Sequence, residues 1–277
     1  MTRILIADDD RATLRLLESR LTRAGFAVVA VQDGIEAREK LRRGRFDLLL
    51  LDVWMPRLNG LELLAGLRRR KTRPRVIVMT SDDTPETLLK AVREQAFRYL
   101  HKPIDPARLI ETVRDVLEAA EPPPEIDVGS ARSEWVELVL PCTRAAAARI
   151  DEVMASLEAD LTTEVRESVS FAFRELLLNA IEWGGGFDPT RRVRISCLRT
   201  RRMLLYRIAD PGPGFRLEDL EHAAVGQMPG DPIAHVAVRE EKGLRPGGFG
   251  LVLARAQVDE LIYNEKRNEV VLVKYLE

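Results

Sequence analysis

Five polar residues in the first part of the chain stand at the ends of short apolar runs. Asp8 and Asp9 follow the first run, Asp52 follows the third, and Thr80 and Lys102 stand at the ends of the fourth and fifth. Ligands of open parallel sheets gather outside the carboxyl ends of the strands, so we expect these side chains to lie together. Three facing carboxylates repel one another and need a hard cation, and oxygen ligands suit Mg²⁺.

This acidic set is suited to phosphoryl chemistry. An aspartate beside Mg²⁺ can attack a phosphoryl donor and become an aspartyl phosphate. Thr80 could then donate a hydrogen bond to a phosphoryl oxygen while Lys102 neutralises its charge. Asp10 is expected to cap the first helix instead of joining the pocket.

A second set of residues is suited to nucleotide binding. Glu175 and Asn179 lie one helical turn apart, where the amide can ligate Mg²⁺ and the carboxylate can deprotonate a hydroxyl. Asp210 ends a strand and precedes Gly212 and Gly214, so it could accept from an amino group while the backbone packs against a flat ring. Glycines 247, 248 and 250 open a helix whose N–H groups could hold phosphate. Alone, each motif also has an ordinary explanation: a solvated helix face, a Pro/Gly turn and a hinge.

The elements that must position the first set alternate along residues 1–120. Their pattern predicts an α/β domain with a sheet of five parallel strands, covered by helices on both faces. The predicted strands are 4–7, 27–31, 47–51, 76–80 and 99–101, and the predicted helices are 11–24, 35–43, 60–70, 85–95 and 106–119.

Three consecutive prolines at 122–124 predict a linker over residues 121–131. In residues 132–277 the helices and strands cluster, which predicts a second domain that is an α+β sandwich. Its predicted strands are 135–140, 192–199, 203–209, 260–264 and 268–275, its helices are 144–160, 162–183 and 248–258, and an irregular stretch covers 211–246.

Length and composition limit the number of domains, the kinds of partner and the compartment that we expect for this chain. The 277 residues predict about two domains. With 43 Lys and Arg against 44 Asp and Glu and no basic stripe, we expect no nucleic-acid binding. The arginine cluster at 68–75 is typical of a helix C-terminus. No apolar run would span a bilayer and no signal peptide opens the chain, so we expect a cytoplasmic protein without a membrane partner and with reduced Cys142 and Cys197.

Residues 1–120 resemble the receiver domain of bacterial two-component response regulators. The resemblance implies a doubly wound, flavodoxin-like fold. It also implies that Asp52 is the phosphoacceptor, that Asp8 and Asp9 hold Mg²⁺, that Thr80 and Tyr99 form a switch pair, and that a sensor histidine kinase is the partner. The matching residues are Ile4-Leu5-Ile6-Ala7-Asp8-Asp9-Asp10, Asp33-Gly34, Leu51-Asp52-Val53-Trp54-Met55-Pro56, Gly60, Met79-Thr80-Ser81 and His101-Lys102-Pro103.

Residues 132–277 resemble the ATP-binding fold of histidine kinases, DNA gyrase and the mismatch-repair ATPase MutL, and within it the anti-sigma-factor serine kinases. The similarity lies in Glu175 to Glu182 and in the glycine segment at 247–251. It implies ATP and Mg²⁺ as ligands and Glu175 as the candidate general base for a protein hydroxyl. The other implied roles are Asn179 for Mg²⁺, Asp210 for the adenine amino group, Gly212 and Gly214 for the base, Gly248 and Gly250 for the phosphates, and Arg245 for the γ-phosphate. Trp183 departs from the family, which often has a histidine there.

The two resemblances together imply a response regulator whose phosphorylation at Asp52 controls an ATP-binding output domain. We expect that domain to act as a serine/threonine protein kinase on an anti-sigma-factor antagonist, with a sigma factor as the alternative partner. Two alternatives remain open: a non-catalytic, ATP-gated binding module, and an ATPase half that phosphorylates a histidine protein in trans. None of the three histidines lies on a predicted dimerisation hairpin, which argues against a self-sufficient histidine kinase. Both families often form homodimers, which leaves a homodimer open here.

Overall fold

A computed structural model describes residues 1–68, 70, 72–82, 84–132, 134–215 and 250–276. The expectations about Gly247, Gly248, Arg245 and the irregular stretch 216–246 lie outside these residues. The chain divides into two compact units, Met1–Pro123 and Pro124–Glu277. None of the helices within the described ranges is both long and apolar enough to cross a membrane.

The first unit is a five-stranded parallel sheet in the order β2-β1-β3-β4-β5. Its strands are β1 (Arg3–Ala7), β2 (Ala27–Val31), β3 (Leu48–Asp52), β4 (Arg75–Thr80) and β5 (Arg98–His101), and its helices are α1 (Arg11–Arg23), α2 (Gly34–Arg43), α3 (Gly60–Arg68), α4 (Pro85–Arg93) and α5 (Pro106–Glu118). The sequence predicted each of these elements to within two residues at either end.

Two apolar clusters, one on each face of this sheet, form the core of the first unit. Ile4 and Leu50 face α1 and α5, whereas Leu5 and Leu51 face α2, α3 and α4. Burial on both faces explains why the strands are continuous apolar runs instead of alternating ones. Asp10 caps α1 by accepting from the N–H groups of residues 12 and 13, as the sequence predicted.

The arginine cluster lies at the end of the sheet where the strands begin. Helix α3 ends at Arg68, whose Nη1 donates to the carbonyl of Arg93 at 3.3 Å. Arg70 donates to the Leu41 carbonyl at 3.2 Å and Arg73 to the Glu94 carbonyl at 3.4 Å. These cations therefore satisfy the terminal carbonyls of α2 and α4, where a helix carries partial negative charge.

The second unit has two layers, a six-stranded antiparallel sheet and helices packed on one face. The sheet order is β10-β11-β9-β8-β7-β6, and α7 packs against α6, α8, β9 and β11. The elements are β6 (Asp127–Arg132), β7 (Trp135–Pro141), α6 (Arg144–Leu157), α7 (Thr163–Asn179), a π-helical turn (Ala180–Gly184), β8 (Arg192–Arg199), β9 (Met203–Ala209), α8 (Gly250–Gln257), β10 (Glu260–Tyr263) and β11 (Glu269–Tyr275).

Strand β6 differs from the expectation, since Asp127–Arg132 overlaps the stretch 121–131 that the prolines predicted to be a linker. It pairs with β7, with an irregularity in register between Val128 and Ser130. Its residues have no apolar alternation, so backbone pairing with β7 defines the strand more than its own side chains do.

Candidate functional sites

The acidic pocket of the first unit forms where the parallel strands end. One carboxylate oxygen from each of Asp8, Asp9 and Asp52 lies within 4.8 Å of the others. Asp8 and Asp52 are buried, whereas Asp9 is exposed. Lys102 reaches into the pocket, with Nζ 2.7 Å from Asp8 Oδ2 and 2.9 Å from Asp52 Oδ2. The structure therefore brings together four of the residues that the sequence singled out.

Burial and charge in this pocket act against each other. Desolvation raises the pKa of Asp52, the nearby charge of Asp8 raises it further, and Lys102 opposes both. Desolvation alone lowers the pKa of Lys102, but its hydrogen bonds to Asp8 and Asp52 outweigh this effect, so the net pKa is raised. Lys102 thus remains a cation, and three carboxylates facing one ammonium leave an excess of negative charge suited to a divalent cation.

Thr80 ends β4 beside this pocket and is fully buried. Its Oγ1 accepts from the N–H of Asp82 at 3.1 Å, and the Tyr99 hydroxyl donates to the carbonyl of the same Asp82 at 2.5 Å. Asp82 in turn accepts from Thr84 N at 2.9 Å and from Thr87 Oγ1 at 2.7 Å. Sequence reasoning missed Asp82, although an Asp shortly before Thr-Pro and a helix is a recognisable capping signal.

Gly60 packs closely against the backbone of Asp52. Its N–H donates to the Val53 carbonyl at 2.9 Å. A Cβ added at Gly60 would come 2.9 Å from the carbonyl carbon of Asp52, and closer still to the carbonyl oxygen. Only a residue without a side chain allows α3 to begin at this point.

In the second unit, α7 carries Glu175 and Asn179 one turn apart, both half-buried. The first residue of α8 lies against Glu175, because a Cβ added at Gly250 would meet its carboxylate, with Cδ at 3.3 Å. The structure thus brings Glu175 and Gly250 together. Gly248 lies outside the described residues.

Asp210 follows β9, and two glycines lie close against its side chain. A Cβ added at Gly184 would lie 2.5 Å from Asp210 Cβ, and one added at Gly212 would lie 2.7 Å from Asp210 Oδ1. The N–H of Gly212 donates to Oδ1 at 2.7 Å. Desolvation raises the pKa of Asp210, while the Gly212 N–H and the charge of Arg191 oppose this rise.

The loop after Asp210 is fixed by contacts to the hairpin between β10 and β11. Gly214 has a φ of 84°, and an added Cβ there would clash with the Lys266 carbonyl. Asn268 accepts from Asp210 N at 2.9 Å and donates from Nδ2 to the Gly212 carbonyl at 3.3 Å. Sequence reasoning missed Gly184 and Asn268. The run of three glycines from 184 to 186 is a signal for the first, and no local pattern marks the second.

Comparison with known proteins identifies both units. Residues 4–114 match the family model of the response regulator receiver domain, and residues 140–274 match that of the histidine kinase-like ATPase domain. The chain therefore carries a response regulator receiver domain followed by a histidine-kinase-like ATPase domain. Both resemblances, and the two fold classes predicted with them, are confirmed at this level. The second match implies ATP binding, and the first implies a phosphodonor such as a sensor kinase.

Two curated relatives that are response regulators or transcriptional regulators each match about half of this chain. The transcriptional regulator NtrC of Azospirillum brasilense is 36% identical over 130 residues, which are 46% of this chain and 27% of that protein. Response regulator MprA of Mycobacterium avium is 36% identical over 143 residues, 51% of this chain and 62% of that protein. The chain thus spans less than two thirds of the length of either relative.

Solved structures of receiver domains match a similar share of this chain. A Francisella response regulator receiver domain is 26% identical with a TM-score of 0.42, covering 44% of this chain and 100% of that one. A CheY-like receiver domain from Methanospirillum hungatei is 29% identical with a TM-score of 0.42, covering 43% of this chain and 94% of that one.

Proposed function

We propose that this protein is a two-component response regulator in which phosphorylation of Asp52 controls an ATP-dependent serine/threonine protein kinase. The phosphodonor is a cognate sensor histidine kinase, and the target is a small anti-sigma-factor antagonist or a similar partner in the cytoplasm. The observation that carries the proposal is the presence in one chain of a buried aspartate paired with a lysine and of an ATPase domain in which two glycines lie close against Asp210.

In the receiver, Asp52 attacks the phosphorus of the donor's phosphohistidine, forming a P–O bond as the P–N bond breaks. Asp8 and Asp9 fit a Mg²⁺ site with Asp52, because their oxygens lie within 4.8 Å of one another and their charge exceeds that of Lys102. When bound, the ion supplies neutralising charge. Lys102, already 2.9 Å from Asp52, pairs with the transferred phosphoryl group, and Thr80 donates to one of its oxygens.

In the output domain, Asp210 accepts a hydrogen bond from the adenine amino group while Gly212 and Gly214 line the base. Asn179 would provide an uncharged oxygen for Mg²⁺, and Gly250 lies at the phosphates. Glu175 takes the proton of the target hydroxyl as that oxygen attacks the γ-phosphorus, and the bond from the γ-phosphorus to the β,γ-bridging oxygen breaks to release ADP. The contact between Glu175 and Gly250 supports phosphoryl transfer over a purely binding role, because the resemblance implies that Gly250 faces the phosphates.

The first experiment measures Mg-ATP affinity of the full-length protein by calorimetry, with and without beryllofluoride as a mimic of the phosphoryl group. We expect beryllofluoride to shift the affinity in the wild type and to have no effect in Asp52→Asn. Asp210→Ala and Asn179→Ala should each weaken ATP binding by about tenfold or more, on the scale of one lost polar contact to the ligand. Unchanged ATP binding in both variants would contradict the nucleotide half of the proposal.

A second experiment separates catalysis from binding. Glu175→Gln should abolish transfer of the γ-phosphoryl group to a protein acceptor while leaving ATP affinity nearly unchanged. Absence of transfer in the wild type, with ATP binding intact, would favour the binding-module alternative. An acid-labile product would favour transfer to histidine, because phosphoserine survives acid treatment and phosphohistidine does not.

A further inference from the structure

Arg191, immediately before β8, reaches from the sheet to the loop that carries Asp210. Its Nη2 donates to the Pro211 carbonyl at 2.8 Å. Its own backbone is fixed on both sides, since its N–H donates to the Asp188 carbonyl at 3.1 Å and its carbonyl accepts from Cys142 N at 3.1 Å. The Arg191 guanidinium therefore extends from a well-anchored part of the fold and donates to Pro211, the residue next to Asp210.

We propose that Arg191 is a positioning residue for adenine recognition, which holds the Pro211 carbonyl and thereby aims the Asp210 carboxylate at the base. The proposal rests on the proposed function, because it assigns to Arg191 a role in the same nucleotide site. Neither the sequence motifs nor the family roles described above include this residue.

The geometry of Asp210 explains why such a contact matters. Its Oδ1 accepts from Gly212 N at 2.7 Å, which leaves Oδ2 to accept from an adenine amino group. Gly184 and Gly212 both lie close against Oδ1, where an added Cβ would clash, so a small rotation of the loop would move Oδ2 away from the base. The peptide carbonyl of Pro211 lies between Asp210 and Gly212. The charged hydrogen bond from Arg191 to this carbonyl fixes the peptide plane between Pro211 and Gly212. The contact of Oδ1 with the Gly212 N–H and the contact of Oδ2 with the base both depend on that plane.

Charge provides a second effect of the same residue. Arg191 favours the ionised form of Asp210, whose pKa is raised by burial. Another titratable group near Asp210 is the buried thiol of Cys142. Its pKa is affected by the charges of Arg191, Arg192, Asp188 and Asp210. Loss of Arg191 should therefore raise the pKa of Asp210 further, so that the carboxylate becomes protonated at a higher pH.

The test compares Mg-ATP with Mg-ITP, which carries a carbonyl in place of the adenine amino group. Calorimetry on the full-length protein gives both affinities for wild type, Arg191→Ala, Arg191→Lys and the control Arg192→Ala. Arg192 is an exposed neighbour whose Nη1 donates to the carbonyls of Pro189 at 2.6 Å and Arg191 at 3.3 Å, neither of which belongs to the loop after Asp210. We expect Arg191→Ala to weaken ATP about tenfold and ITP much less, so that the preference for ATP falls.

The pH dependence distinguishes positioning from a general loss of structure. The ratio of ATP to ITP affinity cancels the titration of the phosphates. In the wild type this ratio should fall as the pH is lowered through the pKa of Asp210, and in Arg191→Ala the fall should begin at a higher pH. Arg191→Lys keeps the charge but loses the planar donor, so its fall should stay near the wild-type pH while its ATP affinity is reduced.

An unchanged ATP preference in Arg191→Ala, equal to that of Arg192→Ala, would overturn the inference while leaving the proposed function intact. Equal losses of ATP and ITP affinity would also overturn it, because they indicate general damage to the site. A wild type that binds neither nucleotide would overturn the proposed function itself, and this inference with it.

Discussion

Substitution of Gly60 by alanine tests whether the receiver depends on the close approach of α3 to Asp52. The added Cβ would lie 2.9 Å from the Asp52 carbonyl carbon and 3.2 Å from Leu51 Cγ. Neither neighbour can yield easily, because β3 is buried and paired on both sides by β1 and β4. Overpacking at such a site costs about 1–3 kcal/mol. We therefore expect Gly60→Ala to lower the local stability of the receiver by this amount.

Gly66 supplies a matched control on the same helix. It is exposed in the interior of α3, and a Cβ added there meets nothing within 4 Å. Replacing a helix-interior glycine with alanine stabilises by about 0.5–1 kcal/mol. The two alanine variants should thus change stability in opposite directions, although they make the same chemical substitution six residues apart.

Hydrogen exchange of the full-length protein measures the effect in each unit separately. In the regime where exchange reports the opening equilibrium, peptides covering β1 and β3 should exchange roughly 5- to 150-fold faster in Gly60→Ala and about twofold to fivefold slower in Gly66→Ala. Peptides from β8 and β9 should be unchanged in both variants. Wild-type exchange of β3 in Gly60→Ala would refute the argument, and so would equal acceleration in both variants.

Two further predictions concern the ATPase domain. Gly184→Ala should weaken Mg-ATP binding, measured by calorimetry, about tenfold or more, because the added Cβ displaces the Asp210 carboxylate. The control Gly129→Ala should bind Mg-ATP like wild type, because its added Cβ would lie 3.5 Å from the nearest atom. Equal affinities of the two variants would contradict this prediction. Burial raises the pKa of Asp151 from 3.8 to about 6, with Arg174 opposing the shift, so its contribution to stability is fully present below the unfolded value and is lost as the pH rises through about 6. In urea unfolding above pH 6, Asp151→Asn should therefore be more stable than wild type by on the order of 1 kcal/mol, and near pH 4 the two proteins should be similarly stable. A difference in stability that does not change with pH would show that Asp151 does not titrate in this way.

The receiver fold was largely predictable because its signals are local and repeated. Five apolar runs separated by helical patterns predict parallel strands, and the carboxyl ends of such strands meet at one edge whatever their order. The meeting of Asp8, Asp52 and Lys102 follows from that geometry alone. The apolar pattern by itself does not give the strand order β2-β1-β3-β4-β5, which is the order of the flavodoxin-like fold that the resemblance implied.

The residues that sequence reasoning missed depend on partners distant in the chain. Strand β6 is defined by its pairing with β7, and its own residues from Asp127 to Arg132 carry little strand signal. Asn268 contacts Gly212 across 56 residues of sequence. Asp82 is a different case, since its capping pattern is local but its link to Thr80 and Tyr99 is visible only in three dimensions.

In both units a residue without a side chain determines where the reactive carboxylate lies. In the receiver, Gly60 allows α3 to begin against Asp52. In the ATPase domain, Gly184 and Gly212 lie close against Asp210, and Gly250 lies against Glu175. The carboxylates could be selected from the sequence because their charge implies chemistry. The same sequence does not show which glycines are required, because a glycine in a turn and a glycine against a carboxylate look alike until the opposing atom is known. Variants at these glycines therefore test the geometry of each site without altering any group that carries out its chemistry.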